Sequence, residues 1–137
     1  MMRSLLILLA LALPARAIEG WKSSLPEALA EAKASGKKVL VDFTAPWCYS
    51  CYYMDKNVLE RQGFRDLAKD LALARVDVDQ PEGLALKKEK NVRFLPSFLV
   101  LDDKGRELGR ILGEQREAEF LTQLKALVGS APARSPE

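Results

Sequence analysis

Apolar positions along this chain follow two periods. From Val39 to Phe43 they are continuous and rich in β-branched residues, the pattern of a strand buried on both faces. Leu73 to Val78, which carries Arg75 and Asp77, and Ser97 to Leu101 repeat that pattern. Elsewhere the spacing is helical. Leu25, Ala28, Leu29 and Ala32 form one face of a helix that a capping box, Ser24 with Glu27, opens and Ser35-Gly36 closes. Met54, Val58 and Leu59 make a second helical face. Gly63 interrupts it and Phe64, Leu67, Ala68 and Leu71 resume it, which predicts a broken or kinked helical region over about 49–70. A further helix is predicted over Glu82 to Lys90. Asp102-Asp-Lys-Gly105 reads as a turn into an antiparallel strand, Arg106 to Leu112. Phe120, Leu121, Leu124 and Val128 give the apolar face of a last helix, Ala118 to Val128, stopped by Gly129. Ile18 to Ser23 is an entry segment whose Trp21 is expected to pack onto the domain.

Composition narrows the class. The chain has 137 residues, enough for one domain, and charges of both signs are interspersed. Arg3, the apolar run Leu5 to Leu13 and the small-x-small site Ala15-Arg16-Ala17 read as a cleavable secretory signal, too short to span a bilayer, which needs roughly 20 apolar residues. The expected organisation is a signal peptide over 1–17, a domain over 18–129 and a disordered tail over 130–137. Cleavage after Ala17 removes Arg3 and Arg16, so Lys plus Arg falls from 21 to 19, matching the 19 acidic residues. No basic stripe remains for nucleic acid. The expected compartment is the periplasm or the outside of the cell, and a monomer is expected.

The candidate chemistry lies just after the first apolar run. Thr44, Ala45 and Pro46 turn the chain and bring Cys48 and Cys51 to the start of a helix. Unpaired N–H groups there favour a thiolate at Cys48, and Cys51, one turn along, can reach back to close a disulfide. Two cysteines cannot make a disulfide framework. With no histidine and no third cysteine, a zinc site would need carboxylates or a second chain. In an oxidising compartment a lone Cys-x-x-Cys pair points to thiol exchange, so no cofactor or metal is expected beyond the redox-active pair itself. Asp42 interrupts the apolar run. If buried, its pKa rises and it can take the proton of Cys51; the alternative is a strand-end acid facing water. Trp47, Tyr49 and Tyr52 flank a helix start that must stay accessible, and are read as an aromatic rim for a protein substrate. Trp47 has packing as its alternative.

These residues together resemble the thioredoxin superfamily. Asp42 lies six positions before Cys48, Trp47 stands directly before it, and Leu95-Pro96 falls at the superfamily's cis-proline position. Within the superfamily the chain most resembles the C-terminal periplasmic domain of the reductant transporter DsbD and its free-standing secreted relatives: Leu precedes that proline, an acid (Asp55) follows Cys51 by four residues, and the helix breaks near Gly63. The resemblance implies an α/β thioredoxin-like fold with a central mixed sheet flanked by helices. It implies Cys48 as nucleophile, Cys51 as resolving thiol and Asp42 in proton transfer, with a cis Pro96 exposing the Leu95 backbone to an extended substrate. Arg75 matches a lysine that neighbours the buried acid in thioredoxin; it either pairs with Asp42 or faces water. Asp55 either adds negative charge near the cysteines or is a surface helix residue, the reading expected here. Tyr49-Ser50 and Tyr52 depart from the Gly-Pro and Lys of thioredoxin. Strong oxidants and isomerases of this fold carry His between the cysteines, so a secreted protein-disulfide reductase is expected, acting on protein disulfides or dithiols and fed by a membrane electron donor. The alternative is a non-catalytic binding module with a structural disulfide.

Overall fold

Strand β2, Lys38–Thr44, is the axis of the sheet. It is hydrogen-bonded on one side to β3, Leu71–Asp77, in parallel, and on the other to β4, Ser97–Leu101, antiparallel. Its two faces lie against helices, which is why Val39 to Phe43 reads as an unbroken apolar run. The computed structural model describes residues 20–131; the expected leader over 1–17 and the expected tail beyond Ala131 lie outside the described residues. β5, Glu107–Leu112, continues the sheet antiparallel to β4, and β1, Trp21–Lys22, adds to the far edge of β3 in parallel. The order is β1-β3-β2-β4-β5, a mixed five-stranded sheet flanked by helices, as expected.

Alternation along the strands divides the core into two layers. Val39, Val41 and Phe43 face α1, Leu25–Ser35, and α4, Pro81–Glu89. Leu40 faces the opposite layer, built from α2, Tyr49–Met54, a π-helical turn at Asp55–Leu59, α3, Gln62–Ala68, and α5, Glu117–Val128. Asp42 shares the parity of Leu40 and so points into this second layer. The caps behave as their residues require: Ser24 Oγ accepts from Glu27 N at 3.4 Å, and Gly36 ends α1 at φ 74°.

Three expectations need correction. The helical region after the cysteines does not break at Gly63. It widens first, where Glu60 N donates to Asp55 O five residues back at 2.9 Å, and breaks at Glu60 and Arg61. Gly63 lies inside α3, where a Cβ would sit 2.8 Å from Leu121 Cδ1 and 3.0 Å from Glu117 Oε1; it is a packing glycine. Leu71 belongs to β3, not to a helical face, so that strand starts two residues earlier than predicted. Its spacing from Phe64 and Ala68 matched a helix by coincidence, because the first residue of a fully buried strand is apolar too. The entry segment holds a strand, β1, too short for any periodicity to reveal.

Gly83 sets the approach of α4 to the end of β3. A Cβ there would overlap the carbonyl oxygen of Asp77, a backbone atom that cannot swing aside. Gly83→Ala is therefore expected to destabilise the fold by about 2 kcal/mol, despite alanine's better helix propensity. Urea denaturation of both proteins checks this; an unchanged or higher midpoint would contradict the close contact.

Candidate active site

The turn from β2 into α2 builds the cysteine pair. Cys48 N donates to Ala45 O at 3.1 Å, which tightens the bend at Pro46 and Trp47. Cys48 is extended (φ −82°, ψ 106°) and occupies the N-cap of α2, with its Sγ accepting from Cys51 N at 3.2 Å. A sulfur in that position takes up one of the unpaired N–H groups of the helix start. Cys48 and Cys51 form a disulfide with their Cα atoms 5.2 Å apart. Both cysteines are almost covered, Cys48 at 8% exposure and Cys51 at 4%, yet both border an open cleft of about 310 Å³.

Behind the pair lies a cluster of charge. The parallel register sets Asp42 beside Arg75. Arg75 Nε donates to Asp42 Oδ2 at 3.2 Å and its Nη2 lies 3.1 Å from the same oxygen. Nη2 also donates to Asp55 Oδ1 at 2.6 Å. The question whether Arg75 pairs with Asp42 or faces water is thus answered: the pairing is direct. Asp55 is not the free surface residue expected from its helical position. The π turn holds it half-buried beside Arg75, at the rim of the cleft. Asp42 is 2% exposed and its Oδ1 has no hydrogen-bond partner among the described residues. Burial pushes the Asp42 pKa from 3.8 up to about 7; Arg75 opposes that rise, and the charge of Asp55 adds to it. Burial likewise raises the Asp55 pKa, against the pull of Arg75.

The rim is aromatic. Trp47, Tyr49 and Tyr52 are 70%, 77% and 58% exposed. Trp47 is not held by packing; its Nε1 donates to Asp79 Oδ1 at 3.2 Å, across the turn that follows β3. The Leu95–Pro96 peptide bond is cis. Leu95 packs against the same apolar cluster as Cys48 and Cys51, which brings this loop to the site. Ser97 Oγ donates to Phe94 O and Gly113 N to Pro96 O, at 2.6 and 2.8 Å, so the loop is pinned on both sides of Leu95. The Leu95 backbone itself makes no hydrogen bond among the described residues. Phe94, which the sequence reading passed over, is exposed on this loop. Its signal was an apolar residue in a segment, Asn91 to Pro96, with no periodicity to bury it.

A strand–turn–helix delivers a Cys-x-x-Cys disulfide to a cleft that it shares with Arg75, the partner of a buried acid, and the thioredoxin-like domain family matches residues 25–127. The chain belongs to that family. The thioredoxin of Thermus thermophilus superposes with a TM-score of 0.72 at 37% identity, over 78% of this chain and 85% of that one. The thiol:disulfide interchange protein DsbD of Vibrio cholerae is 36% identical over 106 residues, 74% of this chain but 18% of the relative's length. The oxidised C-terminal domain of Neisseria meningitidis DsbD, at 24% identity and a TM-score of 0.63, over 74% of this chain and 90% of that one, shares the fold. The protein is a thioredoxin-like thiol–disulfide oxidoreductase whose redox pair is Cys48 and Cys51.

The raised pKa of Asp42 makes its contribution to stability depend on pH. The folded thioredoxin-like domain binds this proton more tightly than the unfolded chain, so stability falls as pH rises from 3.8 to about 7. Asp42→Asn removes that loss. In the oxidised proteins, the variant is expected to gain about 1–3 kcal/mol on wild type between pH 5 and pH 8, a window holding most of the shift. Guanidinium titrations at the two pH values measure it; a stability difference that is the same at both would mean an unperturbed Asp42.

Proposed function

We propose that this thioredoxin-like domain acts as a reductase of protein disulfides in the periplasm or outside the cell. One observation carries the direction. Among the described residues the only cation bordering the cleft, Arg75, is shared by Asp42 and Asp55, and a further carboxylate, Asp77, borders the cleft as well. A Cys48 thiolate formed there has the N–H groups of the helix start but, among the described residues, no free side-chain cation. A dithiol whose thiolate is poorly stabilised gives up its electrons readily, whereas strong oxidants of this fold stabilise their reduced form. The signal-like sequence over 1–17, and the likeness to a DsbD domain, support the compartment.

In the proposed cycle the Cys48 thiolate attacks one sulfur of a substrate disulfide, forming a mixed disulfide and releasing the other substrate sulfur as thiolate. Asp42 accepts the proton of Cys51. The Cys51 thiolate attacks Cys48 Sγ, closes the Cys48–Cys51 disulfide and releases the second substrate sulfur. Two electrons have then left the domain, so a dithiol donor must restore the pair; a membrane protein carrying electrons from the cytoplasm fills that role. Trp47, Tyr49, Tyr52 and Phe94 receive the apolar side chains around the substrate cysteine, and the unpaired backbone of Leu95 takes an extended substrate segment. The domain works as a monomer and uses no cofactor.

Three measurements test this. Equilibration with glutathione is expected to give a potential nearer ~−270 mV, typical of reducing members of this fold, than ~−120 mV, the oxidising extreme. A value above about −180 mV would reverse the direction. Insulin reduction is expected for wild type and not for Cys48→Ser; equal turbidity from both would leave the disulfide a mere staple. Cys51→Ser should hold substrates as mixed disulfides on a non-reducing gel while Cys48→Ser holds none, and equal trapping would overturn the assignment of roles.

A further inference from the structure

Trp21 is on the edge strand β1, yet it touches the charge cluster behind the cysteines. Its register partner is Leu73, two residues before Arg75 on the same face of β3, and the Arg75 guanidinium carbon lies 4.7 Å from the centre of the Trp21 ring. The indole also stacks on Phe64 of α3, at 6.1 Å and 12°. The indole N–H is buried and has no hydrogen-bond partner among the described residues, so apolar packing and stacking, not a hydrogen bond, position the ring. The guanidinium thus meets one aromatic face and two carboxylates. An arginine here has several rotamers open to it, and its side chain keeps about a quarter of its surface exposed. Two acids pull it in one direction and the ring closes off its retreat.

We propose that Trp21 is a positioning residue for disulfide exchange: it keeps Arg75 seated on Asp42 and Asp55, and so sets the pH at which the resolving step runs. The proposal rests on Asp42 as acceptor of the Cys51 proton. The charged groups bearing on Asp42 are Arg75 from β3 and Asp55 from the π turn, with Lys56 and Glu60 acting on Asp55 in turn. β4 contributes Phe98 opposite Asp42, which is uncharged. On β1, Lys22 is opposite Ala74 and so on the other face of the sheet. Arg75 lowers the Asp42 pKa. Loosening Arg75 must therefore move the Asp42 titration to higher pH.

The test is the rate of mixed-disulfide resolution against pH in the full domain, by stopped flow with a model disulfide. Trp21→Leu keeps an apolar contact with Phe64 but offers no π face. Its midpoint is expected to rise by about half to one pH unit, the range a partly desolvated cation–π contact can supply, and its rate to fall three- to ten-fold below the wild-type midpoint. Trp21→Phe, which keeps a π face, should bring the midpoint most of the way back to the wild-type value. In an Arg75→Gln background the Trp21→Leu shift should vanish, because the ring acts through Arg75. A purely structural role would lower the denaturation midpoint and leave the pH profile in place, and that result overturns the proposal. If Trp21→Leu does not fold, fluorinated tryptophans in a Trp47→Phe background weaken the ring face without changing its shape, and a midpoint that does not climb with fluorine number overturns it equally. Asp42→Asn is the control: a profile identical to wild type there refutes the role of Asp42, whereas a changed Asp42→Asn profile with unmoved Trp21 variants refutes only that of Trp21.

Discussion

A single guanidinium between two carboxylates, at the inner wall of a cleft, governs the chemistry of this site. A carboxylate as deeply covered as Asp42 is costly to ionise, and burial raises its pKa. Arg75 opposes that rise and Asp55 adds to it, and the Asp42 pKa lies at about 7. Asp55 limits how far that goes, because it takes half of the arginine's attention with the shorter contact, 2.6 Å against 3.1 Å. The balance among the three groups, rather than any one of them, sets the acid in the middle of the useful range.

Several parts of the scaffold exist to hold that balance. The parallel register of β2 and β3 puts Asp42 and Arg75 side by side on one face. The π turn after α2 brings Asp55 onto the guanidinium while keeping Met54, Val58 and Leu59 in the core, which a regular helix would present differently. Gly83 lets α4 lie against the end of β3, next to the turn whose Asp79 holds Trp47 at the rim. None of these contacts touches a sulfur, yet each fixes something that a sulfur's substrate or proton acceptor must meet.

The site also separates two demands. The sulfurs must be dry enough for a thiol to be tuned by its neighbours, and open enough for another protein's disulfide to arrive. The domain covers the cysteines by seating Cys48 on its own helix cap and by packing Leu95 against the cluster that includes both. Around the cleft it leaves aromatic rings exposed, Trp47 in the turn before α2, Tyr49 and Tyr52 on α2 itself and Phe94 on the loop before Pro96.

Much of this was legible in the sequence, for a definite reason. Strands buried on both faces need unbroken apolar runs, so β2 and β4 stand out, and α1 and α5 show their faces because helical spacing survives any change of neighbour. A charged residue inside such a run, just before two cysteines at a helix start, marks Asp42, Cys48 and Cys51 by the conflict it creates with its surroundings. What the sequence could not decide were matters of contact between distant segments. Whether Arg75 met Asp42 or water depended on a strand register. Asp55, which reads as a surface residue on a regular helix, became part of the site because that helix widens by one residue. Gly63 looked like a break and is a point of close packing against α5. β1 is only two residues long, shorter than any period, and its Trp21 reaches Arg75 only because β3 accepts it as a neighbour. Local pattern carries information about burial and direction along the chain. Which charges face one another is set by how the elements are assembled.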